Sequence, residues 1–109
     1  MRGNVSTDKA CKDWIHGSEI VMADKRRTVG TYGSNEIILK IASNREWVTI
    51  AFQRTGPGDN FVAKIDRPGT SVKPCISAGS FVASGSNLPD AVRKFIEKND
   101  IENPNKLTW

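Results

Sequence analysis

Hydrophobic and polar residues alternate with period two through the middle of the chain. In residues 36–43, Ile37, Leu39 and Ile41 fall on one side and Ile38, Lys40 and Ala42 on the other. In residues 47–54, Val48, Ile50 and Phe52 alternate with Trp47, Thr49, Ala51 and Gln53. In residues 61–66, Phe61, Ala63 and Ile65 alternate with Val62, Lys64 and Asp66. Three such runs, rich in β-branched and aromatic residues, predict neighbouring strands.

The joints between them suit antiparallel pairing. Ser43-Asn44-Arg45-Glu46 is a short polar connector fit for a hairpin, and residues 55–60 form a longer glycine-rich loop. Arg67-Pro68-Gly69-Thr70 fits a type II turn, with proline followed by glycine. Upstream, residues 19–24 and 28–33 predict one or two further strands around a turn at Lys25, Arg26 and Arg27. Downstream, residues 71–77 and 80–84 are short and interrupted by Pro74 and Gly79, which suits edge strands.

The period changes once, near the C-terminus. Residues 87–100 place Asn87 as N-cap, Pro89 and Asp90 in a first turn, and Leu88, Val92, Phe95 and Ile96 on one helical stripe. The expected fold is therefore α+β: a meander-like antiparallel sheet of five or six strands with one C-terminal helix across a face. Residues 1–109 form a single domain in this reading, with a polar arm at 1–10 and an irregular tail at 100–109. The sheet face away from the helix carries Ile38, Ala42, Trp47, Ala51 and Val62, which is too apolar to be simply solvated. The expectation is that the chain's own strands cover it, with Trp14 and Trp109 needing somewhere to pack. A binding surface is the alternative.

Composition narrows the function classes. Hydrophobic residues make up 38% and charged residues 26% of the 109, the ordinary globular range. No run approaches the roughly 18 apolar residues of a membrane helix, so membrane insertion is not expected. Residues 1–8 lack the apolar core of a signal peptide. The net charge of +4 makes anionic partners plausible without requiring nucleic acid. Lys25, Arg26 and Arg27 are the one dense basic run and the candidate anion contact; a solvated turn is the plainer reading.

The residues that could carry chemistry are few. Cys11, Asp13, Trp14 and the single histidine, His16, lie within a few positions of one another. A thiol nucleophile needs a base in hydrogen-bond reach and a third group to orient it. Neighbours this close, ahead of a strand and beside the turn-like Gly17-Ser18, suit the corner of a small fold better. Two cysteines and one histidine fall short of a zinc ligand set, and no pair of carboxylates stands out for hydrolysis. The glycines of residues 29–34 and 55–60 run between strands rather than into a helix N-terminus, so neither forms a phosphate cradle. Asn4-Val5-Ser6 matches the glycosylation acceptor pattern, a match common by chance.

Cys11 and Cys75 either pair or stay as buried thiols. Pairing, the reading taken here, would close a loop of about 65 residues, worth about 4 kcal/mol in the chain-entropy model. It would also imply a secreted or periplasmic location. The stretch FVAKIDRPGTSVKPCISAGSFVASGSNLPDAVRKFI, about a third of the chain, resembles the C-terminal part of invasion-associated-locus-B-like periplasmic proteins. Those proteins carry a second nearby cysteine where this chain has Ser80 or Phe81. The resemblance implies a cell-envelope location.

The expected role is non-enzymatic binding of another protein, as in an inhibitor, immunity or adaptor protein, through a sheet face and loops. The expected surface comprises Lys40, Arg45, Trp47, Arg54, Asp59, Lys64 and Arg67. No cofactor is expected. The alternative is a single-stranded nucleic-acid-binding domain, which would stack bases on Trp47 between Lys40 and Lys64.

Overall fold

The described strands form one five-stranded sheet, against which the C-terminal helix packs. The computed structural model describes residues 14–27, 35–54, 60–68 and 80–109. Strands β1 (Glu19–Arg27), β2 (Asn35–Ser43), β3 (Glu46–Arg54), β4 (Asn60–Pro68) and β5 (Ser80–Ser84) lie in the order β1-β2-β3-β4-β5. Each pairs antiparallel with the next, and one helix, α1 (Leu88–Lys98), follows. The α+β meander expected from the alternation is the observed fold. β5 is an edge strand, as its short, broken sequence implied.

The pleat sorts residues as the period-two pattern requires. Ile37, Phe52, Ala63 and Phe81 form one continuous cross-strand row, and Leu39, Ile50 and Ile65 form the next. All are buried except Ile65, which is half-buried. Helix α1 lays Ala91, Val92, Phe95 and Ile96 over these rows. Phe95 meets Phe52 edge-on, with centroids 5.2 Å apart and planes at 81°, and tilts against Phe81 at 6.2 Å. Edge-on aromatic pairs add to the gain from burial alone.

Local chemistry explains where the elements stop. Ser43 and Glu46 pair across a two-residue turn, in which Asn44 takes φ 59°; asparagine tolerates that left-handed conformation better than most residues. The Asn87 side chain accepts from the Asp90 N–H at 3.0 Å and caps α1. Gly85 lets β5 turn directly into the helix, because a Cβ there would sit 2.6 Å from the Ala91 nitrogen.

The stretch around His16 is indeed a corner. Trp14 and Ile15 form a helical turn, the chain reverses at His16 and Gly17, and buried Ser18 donates its hydroxyl to the Ile15 carbonyl at 2.6 Å. Trp14 Nε1 donates to Glu46 at 3.0 Å. The C-terminal tail closes this corner: Ile20 N–H donates to the Glu102 carbonyl and Glu102 N–H to the Ser18 carbonyl, both at 2.8 Å. Ile101 is buried, and Leu107 and Trp109 pack on the core. The tail is irregular, as expected, but firmly anchored.

Two expectations need correction. Lys25, Arg26 and Arg27 are not a turn; they are the last residues of β1, where cross-strand pairing with Ile37, Glu36 and Asn35 extends the strand beyond its apolar part. Trp14 and Trp109 do not cover the second sheet face, because both join the core cluster beneath the helix. The strands expected at residues 28–33 and 71–77, the arm at 1–10, and Cys11 and Cys75 lie outside the described residues.

Removing the Phe95 ring is expected to destabilise the fold by about 3–5 kcal/mol in Phe95→Ala, read by urea denaturation. Asp90 is held below its ordinary pKa of 3.8, first by the Ser86 hydroxyl hydrogen bond and then by the charges of Arg93 and Lys94. A carboxylate whose folded pKa is lowered stabilises the fold above its ordinary value and loses that contribution as pH falls through the lowered one. Ser86→Ala should bring Asp90 back toward 3.8, a change measurable by NMR titration of its carboxyl carbon.

Candidate binding surface on the open sheet face

Two single-residue bulges shape the sheet face opposite the helix. Ile20 pairs with Ile41 and Met22 with Lys40, which leaves Val21 as an extra residue in β1. Thr49 pairs with Arg67 and Ile50 with Ile65, which leaves Asp66 extra in β4. A bulge shifts the alternation by one, so residues beyond it change face. Strict alternation from Ile20 would send Met22 to the core, and from Ile65 it would send Arg67 there. The bulges deliver both to the open face instead.

Met22, Lys40, Thr49 and Arg67 thus form one row across four strands. This row floors a groove of about 210 Å³, completed by Arg26, Trp47 and Asp66. The Lys40 ammonium sits 4.6 Å from the Trp47 ring centroid, and both side chains are half-buried. Thr49 is buried, whereas Met22, Arg26, Asp66 and Arg67 are exposed. Arg26 donates to Asp24 at 3.3 Å, a half-exposed pair of small energetic weight. With three basic residues against one acidic in its lining, the groove favours anions.

The next row of the same face runs through Asp24, Ile38, Ala51 and Lys64. Ile38 and Ala51 are buried, Ala42, Trp47 and Val62 are half-buried and Lys64 is exposed. The face is therefore open around the groove and along its β1 and β4 sides but not at its centre, in keeping with its apolar sequence. Beyond it, Gln53 donates to Glu36 at 3.1 Å, and Val82 on β5 is 77% exposed.

Of the residues expected to bind, Lys40, Trp47 and Arg67 meet in the groove, and Lys64 lies one row away. From the basic run, Arg26 joins them, while Lys25 pairs with core-facing Ile37 and lies on the helix side. Arg45 stands exposed at the hairpin tip, and the Arg54 guanidinium lies 5.2 Å from the Phe61 ring, so neither lines the groove. Asp59 and the Arg27 side chain are outside the described residues. Met22 was missed because the extra residue that shifts a register leaves no mark in a hydrophobic pattern, and Thr49 and Asp66, though on the right face in the alternation, were not singled out.

A second cavity, of about 200 Å³, lies between β5, the end of α1 and the corner, lined by Ile15, Phe81, Val82, Phe95, Lys98 and Asn99. It gathers no acid–base pair. His16 is exposed, and among the described residues no cluster of His, Cys, Asp and Glu is arranged to hold a metal. No described helix is long and apolar enough to cross a membrane. No protein-family model, curated protein or solved structure matches the chain, so the resemblance to the periplasmic family gains no support.

Lys40→Ala should uncover Trp47. With fluorotryptophan incorporated, the ¹⁹F resonance of Trp47 is expected to become more solvent-sensitive, while stability falls by about 0.5–1 kcal/mol.

Proposed function

We propose that the protein is a non-catalytic binding module that engages another protein through the open sheet face. The observation that carries this reading is the groove, where exposed Met22 and half-buried Trp47 stand beside Arg26, Lys40 and Arg67. An aromatic and a methionine framed by arginine is the composition in which interface surfaces are enriched. Inhibitor, immunity and adaptor proteins are the kinds of protein that work this way without chemistry of their own.

The competing reading, a single-strand nucleic-acid binder, has less in its support. Base stacking needs an open aromatic face, yet the Trp47 ring is covered by Lys40 at 4.6 Å and is half-buried. Asp24 and Asp66 flank the same track with negative charge. The cations suit carboxylates spaced on a protein surface better than a continuous phosphate chain.

Fluorescence anisotropy with a labelled thymidine oligonucleotide at low salt separates the two readings. Wild-type protein is expected to give no binding. Tight binding that weakens steeply between about 50 and 200 mM salt, and that is lost in Lys40→Glu/Arg67→Glu, would overturn the protein-partner reading.

A further inference from the structure

Strand β1 is an edge of the described sheet, and among the described residues its outer side is engaged only at its beginning. The Ser18 carbonyl and the Ile20 N–H bond to Glu102, and Glu19 forms the single parallel bridge to that residue. From Val21 to Arg26, no chain segment pairs with the outer side of β1 among the described residues. The direction of the free backbone groups follows from the ladder. Ser43 and Glu46 close a two-residue turn, so the odd-numbered residues of β2 bond toward β3 and the even-numbered ones toward β1. Their partners Met22, Asp24 and Arg26 therefore bond inward, and Ala23 and Lys25 present N–H and C=O outward.

The side chains along this edge are not neutral. Val21 and Met22 are 48% and 38% exposed, an apolar step at the bulge. Lys25 is exposed on the helix side and Arg26 on the open side, where Arg26 also meets Asp24 at 3.3 Å. The groove begins immediately behind Met22 and Arg26 with Lys40 and Arg67, so the cations outnumber the carboxylates of Asp24 and Asp66. Lysine and a bulge on an edge discourage pairing between copies of one chain. The same charges favour a strand of opposite sign, which is how a repulsive device becomes a selective one.

We infer that β1 is a docking edge for an extended acidic segment of a partner protein, which adds to the sheet as a sixth strand beside Ala23–Lys25. Main-chain bonds to Ala23 and Lys25 supply affinity, as in other strand additions. Two consecutive carboxylates of the segment, which point to opposite faces, reach Arg26 on the open face and Lys25 on the other, and apolar residues further along cover Val21 and Met22. The inference rests on the protein-binding reading above and adds the partner's conformation and charge.

The test uses the whole chain, labelled with ¹⁵N, and a capped nine-residue strand-forming peptide of valine and threonine with two consecutive glutamates at its centre, with the peptide that carries two lysines there as control. Saturation with the acidic peptide is expected to slow amide exchange at Ala23 and Lys25 by about tenfold or more, and the control peptide should leave both unchanged. Ala23→Pro removes one outward donor without touching the β1–β2 ladder or any charge and should weaken binding by about tenfold or more. If that variant does not fold, the exchange of Ala23 and Lys25 in the unaltered chain decides. Peptide binding that Arg67→Glu abolishes but that leaves those two amides unprotected would overturn the docking edge while leaving the groove as the binding surface. Protection of both amides at high protein concentration without peptide, with dimers in sedimentation, would overturn the choice of partner in favour of a second copy.

Discussion

One extra residue in each of two strands governs how this sheet presents itself. A pleated strand assigns its side chains to two faces by parity, and parity is reset wherever a residue is inserted without a partner. Val21 resets it in β1 and Asp66 in β4. Were both strands regular through Val21 and Asp66, Met22 and Arg67 would face the helix, and an arginine would have to be accommodated in a core of Ile, Leu, Val and Phe. With the insertions, the helix side remains wholly apolar at its centre. The opposite side gains a methionine and an arginine at the two ends of the Lys40–Thr49 pair.

The core is conventional by comparison. Phe95 inserts between Phe52 and Phe81, and the helix reaches that position because Gly85 permits a turn too tight for any side chain. The C-terminal tail substitutes for a regular element: Glu102 completes the backbone bonding of Ser18 and Ile20, and Asn103 both donates to and accepts from Leu107 at 2.9 Å. Buried backbone groups need partners whether or not a strand supplies them.

Much of this was legible in the amino-acid order, and the exceptions have a common cause. The three central strands were readable because Ile37, Leu39, Ile41, Val48, Ile50 and Phe52 keep strict parity, and the helix because Asn87 announces its start. Lys40, Trp47 and Arg67 were recognised as residues of interest, yet their meeting could not be derived, since Arg67 reaches the open face through Asp66 alone. Lys25 to Arg27 read as a turn because charge clusters usually end strands, whereas here backbone pairing to β2 continues regardless of side-chain polarity. Trp14 and Trp109 offered no periodicity at all. Their burial is a product of the corner and the tail meeting, a long-range event invisible to local pattern.

The anchoring of Trp109 has a practical side. This residue rests on the helix-covered layer, and the groove opens on the reverse of the sheet. A tether or reporter joined after it would emerge behind the molecule, so a sensor surface loaded through that end would display the groove outward. Any fused domain would be kept clear of incoming ligands by the full thickness of the fold.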